Sequence, residues 1–259
     1  MNLLTKIVFI NFIIIVCLNK KMEQLPLSHR IVGGTEASVE DYPFICCIVV
    51  KFKEPVVNIF SGGAAIIGKF WAITAAHCVY DFNDGIIASE QGFVRGNTTY
   101  WDHEREGEQE HLIVRYVIHE DYKTDQEDND IALLQVREPF DGLFEKPILF
   151  APSNYKYNVS SLGIAMGWGT TKESVEPYTV SELRHVAVNL MEHQFCYQLF
   201  SRHNVSFSPR MICCSAPNKD ACINDSGGPL IQYTEDNENA LLIGKTTSRK
   251  FTDYYYYYL

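Results

Sequence analysis

Short apolar stretches separated by polar turn residues follow one another along the chain after Arg30. Runs such as Phe44–Phe52, Ala64–Ile67 and His111–His119 are rich in β-branched and aromatic residues, and Gly, Pro, Asn or Asp residues separate them. This pattern is typical of strands joined by turns. Many short strands with turn signals favour antiparallel barrels over alternating strand–helix units, so the pattern predicts an all-β fold.

Further short strands are predicted at Ile131–Val136, Val180–Asn189 and Ala240–Ile243. The stretch Met191–Phe200 departs from this pattern and is predicted to be a helix. Neither a periodic repeat nor a long linker divides the chain, so we expect one folded unit.

The N-terminal segment has the pattern of a secretion signal. Lys6 precedes an apolar run from Ile7 to Leu18, which is broken by Asn11 and followed by polar residues. This run is shorter than the roughly 20 residues that span a bilayer, and it suits the core of a signal peptide. The alternatives are a buried core helix or a signal anchor. We expect a signal peptide at 1–18 and a secreted, extracellular product without a membrane segment.

Composition and charge limit the kinds of partner that the protein can have, and the cysteine count bears on disulfides. Hydrophobic residues make up 46% of the chain, and the formal net charge is −10, which argues against nucleic acid and anionic membranes as partners. Eight cysteines in a secreted chain predict disulfides. Because Cys17 lies in the signal, an odd number remains, so at least one thiol is free or pairs with another chain.

An acidic loop extends from Asn97 to Glu110. Its carboxylates are potential calcium ligands, but the loop lacks the turn glycine and ligand spacing of an EF-hand, so a solvated acidic loop is the favoured reading. We expect no metal and no cofactor. The carboxylates are those of Asp102, Glu104, Glu106, Glu108 and Glu110.

Three motifs carry side chains suited to nucleophilic catalysis. TAAHC at 74–78 places His77 at a strand end, DNDIALL at 128–134 places Asp130 before an apolar strand, and DSGGP at 225–229 places Ser226 between an acid and two glycines. A serine hydrolase needs a hydroxyl, a base, a carboxylate that orients the base, and donors for the oxyanion. Singly, the motifs also fit a structural histidine, a strand-entry aspartate and a turn serine. Together they predict a catalytic triad.

These motifs, with IVGG at 31–34 after a basic residue, resemble those of the trypsin/chymotrypsin family of serine endopeptidases. The resemblance covers roughly Ile31–Gly244 and implies two packed antiparallel six-stranded β-barrels. Further matches are Tyr42-Pro43-Phe44, Ser61-Gly62-Gly63, Ile118-His119-Glu120-Asp121-Tyr122, Gly167-Trp168-Gly169 and Met211-Ile212-Cys213.

The resemblance implies a role for each member of the triad. His77 acts as general base and then as general acid, Asp130 holds its tautomer, and Ser226 is the nucleophile. The backbone N–H groups of Ser226 and Asn224 form the oxyanion hole.

The resemblance also implies a zymogen, with residues 19–30 as the activation propeptide and 31–259 as the peptidase domain. Cleavage after Arg30 frees the amine of Ile31, which then pairs with buried Asp225. Because a buried carboxylate without its partner is costly, the uncleaved chain should be disordered there.

Asp220 matches the position at the base of the primary specificity pocket, where a carboxylate selects arginine or lysine. The alternative for Asp220 is a surface-loop acid. Ala221 beside it removes a hydroxyl that would help an ammonium, so arginine is favoured over lysine. We therefore expect protein and peptide substrates, an activating protease, protein inhibitors, and a monomeric enzyme.

The cysteine pattern departs from the family in several places. Ser61 replaces the cysteine that normally bonds Cys78, and Cys47 is a guess as its substitute. Gly163 and Gln232 replace both ends of another bridge. The resemblance leaves Cys196–Cys213 as the expected disulfide, and the pairing of Cys46, Cys47, Cys78, Cys214 and Cys222 stays open.

Two further departures affect the site. Asn224 stands where the family usually has glycine, beside the oxyanion hole. After Gly244 the family continues into a Ser-Trp-Gly segment, a disulfide loop, a strand and a helix, whereas this chain ends in FTDYYYYYL. We therefore expect a second barrel truncated at its C-terminal end and a tail produced by an altered reading frame. The alternative function is a catalytically impaired secreted homologue that binds and regulates.

Overall fold

The computed structural model describes residues 34–53, 56–80, 82, 84–102, 109–124, 128–169, 181–202, 206–215, 226–234, 239–251 and 254–258. The expected signal peptide, propeptide and activation residues Arg30 and Ile31 lie outside these ranges. So do Asp220, Ala221, Cys222, Asn224 and Asp225.

About half of the described residues lie in strands, and the helices are short. A 3₁₀ turn spans Ala76–Cys78, helix α1 spans Asp84–Ala88 and helix α2 spans His193–Ser201. The strands are β1 (Thr35–Glu36), β2 (Ile45–Lys53), β3 (Val56–Gly68), β4 (Trp71–Thr74), β5 (Gly92–Gly96), β6 (Gln109–Ile118), β7 (Ala132–Val136), β8 (Leu149–Phe150), β9 (Leu162–Gly167), β10 (Arg184–Leu190), β11 (Met211–Ser215), β12 (Pro229–Tyr233), β13 (Ala240–Phe251) and β14 (Tyr254–Tyr258).

The first sheet is a closed antiparallel barrel with the strand order β2-β3-β4-β7-β6-β5. Strand β7 shows the alternation that suits a strand of such a barrel, because successive side chains point to opposite faces. Ala132, Leu134 and Val136 are buried in the barrel core, whereas Leu133 packs against a second cluster that combines residues of both sheets. The all-β fold class is confirmed.

The second sheet contains the remaining strands, and six of them form a ring. The pairings run β9-β10-β11-β14-β13-β12, and β12 pairs with β9 again. The expectation of a barrel without its closing strand is therefore corrected. Tyr254–Tyr258 pairs with Met211–Ser215 on one side and with β13 on the other. Tyrosine has a high strand propensity, which suits this central position.

Helix α2 confirms the predicted helix and is fixed to β11 by the predicted disulfide. Cys196 on α2 and Cys213 on β11 are bonded, with their Cα atoms 6.2 Å apart. Phe200 and Phe207 stack beside this bridge at a ring-centroid distance of 5.1 Å.

The guess that Cys47 substitutes as the partner of Cys78 is wrong. Adjacent residues of β2 face opposite ways, so Cys46 lies in the first-barrel core with Cys78, whereas Cys47 lies in the cluster shared by the two sheets. The Cys47 thiol instead donates to the carbonyl oxygen of Arg95 at 3.8 Å.

Candidate active site

His77 lies in the 3₁₀ turn that follows β4. Thr74 ends the strand, and extended Ala75 leads into the turn, which buries Ala76 and Cys78. The side chain of His77 lies between these buried neighbours in sequence and remains 31% exposed. The turn therefore fixes the backbone while leaving the imidazole accessible to a substrate.

Asp130 lies two residues before β7 and is almost completely buried. The preceding residue, Asn129, has a φ of 58°, in the left-handed region that asparagine tolerates better than most residues. The N–H of Ile131 donates to the carbonyl oxygen of Asn129 at 2.8 Å. This tight turn is therefore centred on Asp130 and leads the chain into β7 of the barrel.

Two hydrogen bonds join His77 to Asp130. The backbone N–H of His77 donates to Oδ1 at 2.9 Å, and the ring Nδ1 lies 2.9 Å from Oδ2. Because a carboxylate only accepts, Nδ1 carries the proton and Nε2 is the basic atom of the neutral ring. The carboxylate thus fixes both the orientation and the tautomer of the imidazole.

A lysine that the motifs do not include also contacts this carboxylate. The Nζ atom of Lys245, on β13, lies 2.9 Å from Oδ2 of Asp130, and each of these two side chains is only 3% exposed. Sequence reasoning missed this residue. The available signal was a lysine directly after the apolar run Ala240–Ile243 and Gly244.

The charges of this cluster shift one another's pKa values. Burial alone would raise the pKa of Asp130, but Lys245 and His77 outweigh burial and hold it well below its ordinary value. Burial would lower the pKa of His77, yet its hydrogen bonds with Asp130 and Cys78 raise it above its ordinary value. Burial lowers the pKa of Lys245, and Asp130 opposes that shift.

Ser226 is held through its backbone against the first barrel. The N–H of Gly63 donates to the Ser226 carbonyl oxygen at 2.8 Å, and the Thr74 hydroxyl donates to the Gly63 carbonyl oxygen at 2.7 Å. Gly227 has a φ of 83°, and a Cβ there would collide with Gly63 and Thr74. The glycine after the serine is therefore required both by its backbone angle and by the close approach of β3.

Cys78 lies between the serine and the histidine. Its thiol is 3.5 Å from the carbonyl oxygen of Ser226 and 3.7 Å from Nε2 of His77. Within the described residues, no hydrogen bond joins the Ser226 hydroxyl to the imidazole. The structure thus brings His77 and Asp130 into direct contact and fixes the serine backbone next to the residue that follows His77.

The residues described offer neither a metal site nor a membrane segment. No group of three His, Cys, Asp or Glu side chains within them is arranged to hold a metal ion. Of the carboxylates predicted to lie in an acidic loop, Glu110 lies in β6, where it forms ion pairs with Arg95 at 2.6 Å and with Lys51 at 2.6 Å. No helix of the described part is long and apolar enough to cross a membrane.

Comparison with known proteins gives consistent matches. A family model described as Trypsin matches residues 31–252. The chain is 34% identical to Hypodermin-B of Hypoderma lineatum, over 79% of this chain and 74% of that protein. It is 32% identical to Venom peptide isomerase heavy chain of Agelenopsis aperta, over 88% and 92% of the two chains. It is 28% identical to Complement C1s subcomponent of Rattus norvegicus, over 80% of this chain and 30% of that protein.

Proposed function

The chain belongs to the trypsin family, and from that premise we propose that it is a secreted serine endopeptidase made as a zymogen. It hydrolyses peptide bonds after arginine or lysine through an acyl-enzyme. The observation that carries the proposal is the pair of hydrogen bonds from His77 to Asp130, at 2.9 Å each. They leave Nε2 as the one basic atom of the ring, which is what a general base for a serine hydroxyl requires.

In the proposed reaction Ser226 attacks the scissile carbonyl and His77 takes the hydroxyl proton at Nε2. Asp130 stabilises the imidazolium that forms. The backbone N–H groups of Asn224 and Ser226 stabilise the oxyanion, where one donor is worth about 2.7–4 kcal/mol. His77 then returns the proton to the leaving amine. The reaction needs no cofactor.

Activation and specificity belong to the same proposal. Cleavage after Arg30 frees the amine of Ile31 to pair with Asp225, which orders the pocket. Asp220 at the base of that pocket pairs with the substrate guanidinium or ammonium, and Ala221 favours arginine. The partners are protein substrates, an activating protease and protein inhibitors.

The test is an assay of the chain after cleavage at Arg30 by a trypsin-like protease. Arginine and lysine esters should be hydrolysed far faster than phenylalanine esters, and Ser226→Ala should lower kcat by more than about 10⁴-fold. Asp220→Ser should remove the preference for basic residues while hydrolysis continues. Correctly folded, cleaved protein that turns over none of the three esters would contradict the proposal.

A second candidate function is a secreted homologue that binds and regulates without cleaving. It is favoured by the Cys78 thiol, which lies 3.7 Å from Nε2 of His77 where a hydroxyl would have to approach. An organophosphonate probe separates the two candidates, because labelling at Ser226 requires an activated nucleophile. One relative is named a peptide isomerase, so peptide products should also be checked for changed stereochemistry by chiral chromatography.

A further inference from the structure

The Asp130 carboxylate has more partners than one histidine. Oδ1 accepts from the backbone N–H of His77, whereas Oδ2 lies 2.9 Å from both the ring Nδ1 and the Lys245 Nζ. Strand pairing fixes the lysine, because β13 places Lys245 between Pro229 of β12 and Tyr258 of β14. The ammonium therefore reaches Asp130 from the second sheet while the histidine reaches it from the first.

We propose that Lys245 is a positioning residue of the triad, which shares Asp130 with His77 and thereby keeps the imidazole neutral, and able to act as a base, at more acidic pH. The inference rests on the proposed function, in which His77 is the general base. It assigns a role to a residue that touches neither the substrate nor the reacting atoms.

The effect of Lys245 on His77 is electrostatic. An isolated carboxylate beside a histidine favours the imidazolium, and an opposite charge at this distance typically moves a pKa by about 1–3 units. Here the buried ammonium neutralises that carboxylate, and the low dielectric around two side chains that are each 3% exposed strengthens the effect. The Asp130–Lys245 pair should therefore raise the pKa of His77 less than an unpaired Asp130 carboxylate would.

The groups that face His77 from the elements packed against it are few. In the described part of the chain they are Asp130 from the connection before β7, Lys245 of β13 through that carboxylate, and the Cys78 thiol of its own turn. Cys78 contacts the opposite ring nitrogen, Nε2. A change at Lys245 should therefore reach His77 through Asp130, which contacts both side chains, and through the charge interaction of Lys245 with the Cys78 thiol.

If Lys245 only stabilised the fold through its ion pair with Asp130, a different result would be expected. Removing one partner of a buried pair destabilises a protein by leaving an uncompensated charge, and it would lower the melting temperature without any change in how His77 titrates. The titration of His77 therefore separates the two roles, even where the stability falls.

The experiment is an NMR titration of the His77 ring in histidine-labelled, cleaved protein. Lys245→Met removes the charge, Lys245→Gln removes the charge but keeps an N–H donor, and Lys245→Arg keeps the charge. The His77 pKa should rise by about one unit or more in the first two variants and stay near wild type in the third. Lys69→Met is the matched control, because Lys69 is exposed on the turn between β3 and β4 and makes the same change in net charge.

Activity provides a second readout that separates this inference from the proposed function. The acidic limb of kcat/KM against pH should move to higher pH in Lys245→Met and Lys245→Gln by the same amount as the NMR titration. Should every form prove inactive, the proposed function fails while the NMR titration still decides the role of Lys245. An unchanged His77 pKa in a folded, uncharged variant overturns the inference. If Lys245→Met does not fold, Lys245→Gln gives the same decision.

Discussion

Cys78 carries a thiol next to the basic atom of His77, and Ser61 is its neighbour in the structure. The Ser61 hydroxyl donates to the carbonyl oxygen of Cys78 at 2.6 Å, so the two residues are in contact. A cysteine at position 61 could form a disulfide with Cys78, which would remove the free thiol that contacts Nε2. Cys78 is therefore a free, buried thiol inside the candidate active site.

We predict that Ser61→Cys forms a disulfide with Cys78 under oxidising conditions. Closing a loop of this length stabilises a protein by about 3 kcal/mol in the chain-entropy account, so the melting temperature should rise. Non-reducing peptide mapping by mass spectrometry detects the bond. Ser61→Ala is the control, since it removes the same hydroxyl without adding a thiol. Two reactive thiols persisting after oxidation, with no change in melting temperature, would show that the geometry does not permit the bond.

The sequence predicted the His77–Asp130 pair, but not its two additional contacts. TAAHC and DNDIALL are local motifs, and the residues that carry the chemistry can be read directly from them. The contacts of Lys245 and Cys78 depend on how β13 and the 3₁₀ turn approach those motifs in space. A lysine that directly follows an apolar run is visible in the sequence, but its partner cannot be identified until the strand register is known.

At the scale of elements, hydrogen bonds join the connection before β7 to the segment before β11. Asp128 accepts hydrogen bonds from the Ser208 hydroxyl at 2.9 Å and from Nε of Arg210 at 3.1 Å, and a second guanidinium nitrogen also contacts it. Because Asp128 is two residues before Asp130, this contact steadies the connection that carries the carboxylate of the candidate site.

We predict that Asp128→Asn lowers stability at neutral pH but not in acid. Burial alone would raise the pKa of Asp128, but hydrogen bonds from Arg210 and Ser208 outweigh it and lower that pKa. A carboxylate with a lowered folded-state pKa stabilises the fold above its unfolded pKa of about 3.9, and this contribution is lost as the pH falls through the folded value. Thermal melts from neutral to strongly acidic pH should therefore converge for variant and wild type.

The size of the Asp128 effect should be modest, since the Arg210 side chain is 54% exposed and water screens the pair. A partly exposed ion pair is worth about 0.2–1 kcal/mol. Glu90→Gln is the matched control, because it removes a more exposed pair with Arg137, and its effect should be smaller. If Asp128→Asn lowers the melting temperature by the same amount at every pH, the charge of Asp128 is not the cause of the lost stability.

Element boundaries followed from the sequence where the apolar pattern was regular. The helix predicted at Met191–Phe200 is α2 at His193–Ser201, and the run at Ala64–Ile67 lies within β3. The strand predicted at Ala240–Ile243 is much longer, since β13 continues to Phe251. Its second half contains lysine, threonine, serine and arginine, so pairing with β14, rather than an apolar pattern, extends it.

At the scale of the whole molecule, the tyrosine-rich tail completes the second ring of strands. From composition alone, this tail is expected to be a low-complexity end. The sequence does not reveal its place, because the gap between β11 and β13 that β14 fills exists only in the folded protein. The family match also extends to residue 252, beyond Gly244. Runs of tyrosine favour strands. The position of this strand in the sheet, however, is set by the edges of β11 and β13, with which it pairs.

We predict that Tyr256→Pro destabilises the whole second sheet. Tyr256 is the middle residue of β14 and is aligned with Cys213 of β11, the strand that carries the disulfide. Proline removes a backbone donor and therefore a hydrogen bond between strands, and it is excluded from central strands. Chemical denaturation should show a lower unfolding midpoint, and hydrogen exchange should accelerate in β11 and in the second half of β13.

Tyr256→Val is the matched control for this prediction, because valine keeps the backbone donor and has a high strand propensity. It should unfold close to wild type and retain slow exchange along β11. If Tyr256→Pro and Tyr256→Val unfold at the same midpoint, β14 does not stabilise the sheet.

Strand β14 also affects the candidate site. Lys245 pairs with Tyr258 of β14, so opening this strand should free the lysine and change the titration of His77 in the same direction as Lys245→Met.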